Sequence, residues 1–164
     1  LFKMTSDNTN FLNLLFLFFS AFILLIVYYL ELFLGVEPCK LCIYQRFPYF
    51  IAILLATSFL LIKNQKFKKL TFLFFILIFF SSLIMSVHHF GIEKNLWNAL
   101  SSCEANNKIL TNSADLKEYL LNKDYVSCKD VSFKFLGISL AGYNIIVSFV
   151  LFTLSIIGFR KLKN

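Results

Sequence analysis

Four long apolar stretches constrain this chain more than any other feature. Residues 14–30, 70–90 and 135–159 contain no Asp, Glu, Lys or Arg, and residues 43–62 contain a single charge, Arg46. A helix rises about 1.5 Å per residue and the hydrocarbon core of a bilayer is about 30 Å thick, so stretches of this length can cross it. A mean hydropathy of +0.75 also lies outside the range of soluble domains. We therefore predict an all-α, integral membrane four-helix bundle that forms one domain over residues 1–164, with spans at about 11–34, 43–62, 70–90 and 135–159.

The charges between the spans predict how the bundle is oriented. Four lysines give residues 63–69 a net charge of +4, and Arg160, Lys161 and Lys163 give the C-terminal tail +3, whereas six lysines balance six acids in residues 91–134. Because short cytoplasmic loops collect Lys and Arg, we expect the loop 63–69 and both termini to be cytoplasmic and the long loop 91–134 to lie outside. The first span is too long for the apolar region of a signal peptide, so we expect it to be retained. No basic run lies among stacking aromatics, and nucleic-acid binding is not expected.

The first pair of cysteines, Cys39 and Cys42, stands at the start of the second span. Pro38 precedes the pair and is favoured in the first turn of a helix, so we expect the helix to begin between residues 38 and 41. The N-terminal end of a helix favours a thiolate over a thiol. The CxxC spacing at this place predicts an acidic, redox-active pair.

The second pair, Cys103 and Cys128, lies in the long hydrophilic loop, where residues 113–124 have the spacing of a short amphipathic helix. Two pairs on one side of the bundle form either an electron path, a static disulfide in the loop, or a zinc site of four sulfurs. An oxidising compartment works against four reduced thiols, and the second pair lacks tight ligand spacing. We therefore favour the electron path and expect no metal site.

Arg46 follows Cys42 by four residues, which places the two side chains on one face of a continuous helix. Its charge either stabilises an anion, such as a thiolate or a reduced electron acceptor, or extends to lipid headgroups or pairs with Glu37. Pro48 has no backbone N–H to donate to Tyr44, so the helix either kinks here or has only just begun.

The third span ends in two histidines, His88 and His89. Adjacent residues of a helix face different directions, so at most one of them points at a given site and metal ligation by both is not expected. One histidine at a membrane boundary can relay protons or simply lie in the interface. Trp97 is typical of an interfacial anchor, and most of the 22 phenylalanines are expected to face lipid.

The run PCKLCIYQR resembles the P-C-x-x-C-x-Y-x-R signature of the disulfide bond formation protein B family, the quinone-coupled thiol oxidases of bacterial inner membranes. The segments HFGIEKNLW and CKDVSFKFLGISLAGYN, the two outer-loop cysteines and the four spans extend the resemblance over the chain. It implies a multi-pass inner-membrane protein with periplasmic cysteines that reoxidises a periplasmic, thioredoxin-like DsbA-type dithiol oxidase. The resemblance also implies that the electrons pass to ubiquinone or menaquinone.

The resemblance assigns a role to each thiol. It implies that the partner attacks Cys103, that the released Cys128 attacks Cys39, and that Cys42 then reduces the quinone. Arg46 would be the electrostatic partner of Cys42, and His89 matches the family's boundary histidine better than His88 does. Two alternatives are a vitamin K epoxide reductase-like protein, against which a CxxC at the second span argues, and a disulfide-stapled membrane scaffold without redox turnover.

Overall fold

Five helices and one hairpin make up the part of the chain described by the computed structural model, residues 6–62, 64–97, 128 and 133–163. The helices are α1 (Ser6–Phe33), α2 (Lys40–Tyr44), α3 (Phe47–Leu61), α4 (Gln65–Glu93) and α5 (Leu140–Lys163). Strands β1 (Lys134–Phe135) and β2 (Ile138–Ser139) pair antiparallel immediately before α5. Cys103 and the predicted amphipathic segment 113–124 lie outside the described residues.

Four segments are long and apolar enough to cross a membrane, which confirms the predicted all-α architecture. They are Thr9–Phe33, Lys40–Leu61, Gln65–Glu93 and Leu140–Leu162, the second being made of α2 and α3 together. In the ring that they form, α1 contacts α3 and α5, and α4 contacts the same two helices. The protein is therefore a multi-pass membrane protein with a four-helix bundle.

Two predicted boundaries differ from those of the helices in the structure. The fourth span was predicted from residue 135, but Leu136 and Gly137 adopt positive φ angles of 49° and 81° and turn the chain into a hairpin instead. Most of the predicted loop 63–69 belongs to α4, because the side chain of Asn64 accepts a hydrogen bond from the N–H of Lys66 at 2.9 Å and caps that helix.

The centre of the bundle is aromatic, a feature that the expectation of mostly lipid-facing phenylalanines did not include. The Phe16 ring lies 4.8 Å from that of Phe75 between centroids and 6.0 Å from that of Phe72. Five phenylalanine side chains are at most 1% exposed: Phe16, Phe59, Phe72, Phe75 and Phe79. Others do face outward, such as Phe18 at 61% exposed. Hydropathy therefore indicated that these residues enter the bilayer but not which face of the helix they occupy.

A glycine brings two helices together at one end of the bundle. A Cβ on Gly158 of α5 would lie 2.1 Å from a ring carbon of Phe72 of α4, so only glycine permits this close approach. The start of α4 and the end of α5, which carry the basic residues, therefore lie at the same end. The end of α4, with His89, lies at the opposite end, together with the cysteines.

Candidate thiol redox site

Cys39 and Cys42 lie where the second span begins, as the sequence predicted. Cys39 is the N-cap of α2, with extended backbone angles, and its Sγ accepts a hydrogen bond from the N–H of Cys42 at 3.3 Å. The thiol of Cys39 donates to the Sγ of Cys42 at 2.9 Å. Cys39 and Cys42 are both free cysteines in this structure.

Cys128 brings a third sulfur to the pair. Cys39 and Cys128 are 2% and 1% exposed and pack with Ile92 in one buried cluster. We call Cys39, Cys42 and Cys128 the thiol cluster. One cysteine of the long loop thus contacts one cysteine of the CxxC pair.

The expected acidity of the pair is not found at Cys39. The hydrogen bond with Cys128 lowers the pKa of Cys39, but its hydrogen bond to Cys42 and its burial outweigh that effect and raise this pKa to about 12. Within the described part of the chain, Cys39 as the N-cap accepts one backbone N–H bond, from Cys42, and that bond is long. The nearby second thiol and the loss of water therefore affect the pKa of Cys39 more than its position at the start of the helix does.

Of the two adjacent histidines, His89 faces the thiol cluster. Its Nε2 lies 3.5 Å from the Sγ of Cys39 and 3.8 Å from Oε1 of Glu93, and the residue is 3% exposed. His88 instead stacks on the ring of Trp97, with 6.0 Å between ring centroids. The two rings point in different directions, as helical geometry requires.

Arg46 does not share a continuous helix with Cys42, because the helix is interrupted between them. α2 ends at Tyr44, Arg46 is the N-cap of α3, and Pro48 occupies the first turn of α3. The second alternative for Pro48 is thus the correct one: the helix has only just begun there. Proline is well suited to this position because its missing N–H would have no partner in the helix.

The partner of Arg46 is Glu31 of α1, which the sequence analysis did not identify. Nη1 of Arg46 donates to Oε2 of Glu31 at 2.7 Å, and the guanidinium also lies 4.8 Å from the centroid of the Tyr28 ring. Glu37, the partner considered from the sequence, does not form this pair. One signal in the sequence could have identified it. Glu31 lies at the end of the predicted first span, and Arg46 lies near the start of the predicted second span, on the same side of the membrane.

A cavity of about 610 Å³ adjoins the thiol cluster. Ligand sites of proteins commonly have about 300–1,000 Å³, mostly apolar walls and a few convergent polar groups. Apolar side chains of α1 and α5, among them Phe22, Val27 and Val147, form much of its wall. Its polar lining includes Cys39, Cys42, Gln45, Arg46, Tyr49, His89, Glu93 and Asn144. The cavity therefore brings the CxxC pair, a permanent cation and an imidazole to one apolar space.

A series of buried hydrogen bonds connects this site to the middle of the bundle. Gln45 contacts His89 at 3.3 Å and Asn144 at 3.1 Å, and the hydroxyl of Tyr49 donates to Oδ1 of Asn144. Ser148 of α5 continues the series to Ser82 of α4 at 2.9 Å. The sequence analysis missed these residues. Each is an isolated polar residue in an apolar span, and the sequence does not show that polar residues on different helices contact one another.

The structure also brings together three residues that can ligate a metal ion. The Sγ atoms of Cys39 and Cys42 and a ring nitrogen of His89 all lie within 4.8 Å of one another. Thiolate and imidazole are ligands of Zn²⁺. The sequence analysis considered only four sulfurs or two histidines and did not foresee this combination.

Two comparisons with known proteins gave matches to the chain. The family model described as "Disulfide bond formation protein DsbB" matches residues 9–158. The chain is also 28% identical over 147 residues to the uncharacterized protein RP370 of Rickettsia prowazekii (strain Madrid E), a match that covers 88% of this chain and 84% of that protein. No solved structure matches the chain.

Proposed function

Because this chain belongs to the DsbB family of disulfide bond formation proteins, we propose that it is a protein-dithiol:quinone oxidoreductase. It reoxidises a periplasmic, thioredoxin-like DsbA-type oxidase and passes the electrons through two cysteine pairs to ubiquinone or menaquinone in the membrane. The observation that carries this proposal is the packing of Cys128 with Cys39 in one buried cluster, which joins the two pairs.

The electron path begins with the partner. A partner thiolate attacks Cys103 in the Cys103–Cys128 disulfide, so a partner–Cys103 bond forms and Cys128 leaves as a thiolate. Cys128 then attacks Sγ of Cys39 in the Cys39–Cys42 disulfide, so a Cys128–Cys39 bond forms and Cys42 leaves as a thiolate. The buried contact of Cys39 with Cys128 supports this second step, because exchange needs the two sulfur atoms in contact.

Two further exchanges complete the transfer. The second thiol of the partner attacks its own sulfur in the mixed disulfide, which oxidises the partner and releases Cys103. Cys103 attacks Cys128, which restores the loop disulfide and leaves Cys39 and Cys42 reduced. Each exchange forms one S–S bond and breaks one, so two electrons have moved from the partner to the CxxC pair.

The cavity is the candidate site of the electron acceptor. When bound, a quinone accepts two electrons and two protons from the dithiol. Its apolar walls fit such a group, with Cys42, Arg46 and His89 lining the polar side. Arg46 supplies a positive charge that stabilises an anion in an apolar surrounding, and His89 places a ring nitrogen beside Cys39. The second role considered for Arg46, a charge that merely extends to headgroups, leaves its place on the cavity wall without a purpose.

The proposed location is the bacterial inner membrane, with both termini in the cytoplasm and the cysteines on the periplasmic side. Lys66, Lys68 and Lys69 lie at the start of α4, and Arg160 and Lys161 lie near the end of α5. The Gly158–Phe72 contact brings these ends together, opposite to the thiol cluster. This separation of positive charge and cysteines supports the orientation.

A partner with a single cysteine tests the path. A reduced DsbA-type oxidase that retains only its attacking cysteine cannot resolve a mixed disulfide, so it should remain bound to the oxidised protein. Peptide mapping under non-reducing conditions should find the partner on Cys103, a Cys39–Cys128 disulfide, and an alkylatable Cys42. The Cys128→Ser variant, which lacks the loop disulfide, should form no such complex. A partner bound to Cys39, or no complex with the unchanged chain, would contradict the proposal.

A further inference from the structure

Gln45 is a buried residue to which the proposed electron path gives no role. It is 8% exposed, follows the last residue of α2, and contacts the imidazole of His89 on the side opposite Cys39. A neutral histidine carries its proton on only one of two ring nitrogens, and the hydrogen bond at the other nitrogen decides which. The hydrogen bonds around Gln45 therefore determine what His89 presents to the thiol cluster.

The reasoning starts at Asn144, whose side-chain amide has two possible orientations. The hydroxyl of Ser86 donates its one hydrogen to the carbonyl oxygen of Ser82 at 2.7 Å, so its oxygen is left to accept. The Asn144 atom that lies 2.7 Å from this oxygen is therefore the donor Nδ2. The hydroxyl of Tyr49 donates to the other atom, Oδ1, which agrees with this orientation.

The orientation of Asn144 fixes that of Gln45. Nδ2 of Asn144 lies 3.1 Å from one side-chain atom of Gln45, which is therefore the acceptor Oε1. The other atom, Nε2, lies 3.3 Å from the carbonyl oxygen of Met85, which can only accept. Two independent contacts thus assign the same orientation to the amide of Gln45.

The second hydrogen of this amide points at His89. Nε2 of Gln45 lies 3.3 Å from Nδ1 of His89 and donates to it, so Nδ1 is the acceptor and carries no proton. The proton of the neutral ring is then on Nε2, which lies 3.5 Å from Sγ of Cys39. His89 presents an N–H to the sulfur, in a position to stabilise a Cys39 thiolate.

The same arrangement acts against metal binding. Nε2 is the nitrogen that lies close to Cys39 and Cys42, and with a proton on it there is no lone pair for a metal. Moving the proton to Nδ1 would bring two N–H donors face to face in a buried place and leave them without an acceptor, which is unfavourable. The second amide hydrogen of Gln45 has no described acceptor other than Nδ1.

We propose that Gln45 is a positioning residue that holds His89 in the Nε2–H tautomer, so that the imidazole donates to Cys39 and the Cys39–Cys42–His89 group is kept from binding thiophilic metal ions. The tautomer follows from the hydrogen bonds alone. Its purpose, stabilising Cys39 and protecting a dithiol that must cycle, rests on the proposed function.

Nitrogen NMR measures the tautomer directly. The chain has only two histidines, so ¹⁵N-histidine labelling of the reduced protein in detergent gives two rings, and a His88→Gln variant identifies the signals of His89. We expect an unprotonated Nδ1 and a protonated Nε2 at His89. A protonated Nδ1 with an unprotonated Nε2 would overturn the proposal.

Metal binding by variants of Gln45 provides the second readout. In Gln45→Glu a carboxylate can accept from Nδ1–H, the arrangement found behind metal-binding histidines, which alters metal affinity by about 10–100-fold. We expect the reduced variant to bind Co²⁺, followed by its thiolate absorption bands, on the order of tenfold or more tightly than the unchanged protein. Gln45→Leu, which removes the donor without adding a charge, should shift affinity in the same direction if the first variant does not fold. His88→Gln is the matched control, because His88 lies outside the cluster.

Equal Co²⁺ affinity in the unchanged protein and in a folded Gln45 variant would contradict the proposal. Neither readout requires a partner or a quinone. A protein that has the expected tautomer but reduces no quinone would therefore refute the proposed function and leave the role of Gln45 on His89 standing.

Discussion

Arg46 both pairs with an acid and lines the cavity. Its guanidinium forms an ion pair with Glu31 at 2.7 Å and also lines the cavity beside Cys42. An exposed ion pair is worth less than about 1 kcal/mol, but its side chain is only 12% exposed, and a poorly solvated cation has a larger effect on an anion nearby. The pair with Glu31 holds the arginine in place without removing it from the cavity wall.

Replacing Arg46 by glutamine should impair quinone use and leave thiol exchange with the partner intact, because the proposed path places that exchange at Cys103 and Cys128. We expect the apparent Michaelis constant for quinone to rise, or turnover to fall, by about tenfold or more, each factor of ten being about 1.4 kcal/mol. Arg46→Lys should be intermediate, because it keeps the charge and loses the planar fork. Steady-state kinetics with a short-chain quinone measure the effect.

The control for Arg46 is its partner. Glu31→Gln keeps the cation and removes only the ion pair, so its quinone kinetics should stay within about threefold of the unchanged protein if the charge on Arg46 is what matters. An Arg46→Gln variant with unchanged quinone kinetics would reduce Arg46 to a structural partner of Glu31.

Single residues were predicted from the sequence to very different extents. The positions of Cys39 and Cys42 followed from a proline and a CxxC spacing, which act within one turn of chain. The pairing of Arg46 with Glu31 did not follow, because it depends on how α1 packs against the start of α3. The raised pKa of Cys39 did not follow either, because it depends on packing: Cys128, 89 residues later in the chain, lowers it, while the hydrogen bond to Cys42 and burial raise it.

At the scale of elements, each apolar stretch became a helix because a chain in hydrocarbon must satisfy its own backbone hydrogen bonds. Where each helix begins and how the helices are connected depended on local residues, which hydropathy does not describe. Pro48 allowed either a kink or a helix start. The structure has a helix start, because the short helix α2, capped by Cys39, ends before Pro48. The hairpin before α5 was hidden within an uninterrupted apolar run, in which Gly137 was the only local signal.

The segments that connect the helices allow the predicted membrane orientation to be tested by cysteine labelling. In a background with all four cysteines replaced by serine, Asn107→Cys should react with a membrane-impermeant maleimide in intact cells whose outer membrane is permeabilised. Gln65→Cys, at the lysine-rich start of α4, should react only after lysis, because Lys and Arg are retained in the cytoplasm. The reverse labelling pattern would put the thiol cluster in the wrong compartment for an oxidase of secreted proteins.

At the scale of the whole molecule, the bundle holds the chemistry at one end and the positive charge at the other. Its aromatic centre and the Gly158–Phe72 contact fix the helices, while the buried polar side chains from Ser82 to His89 lie along α4 towards the cysteines. The cavity beside Cys42 opens between walls from α1 and α5. Such an arrangement suits a protein that accepts electrons from an external partner and delivers them to a small molecule dissolved in the membrane.

Quinone reduction by the purified protein tests this account most directly. The protein in detergent is mixed with a reduced DsbA-type oxidase and a short-chain ubiquinone or menaquinone, and quinone absorbance and partner thiols are followed together. We predict that one quinone is reduced for each partner disulfide formed, and that Cys42→Ser abolishes quinone reduction. Failure of the folded, unchanged protein to consume quinone while the partner stays reduced, or oxidation of the partner without quinone consumption, would contradict the account.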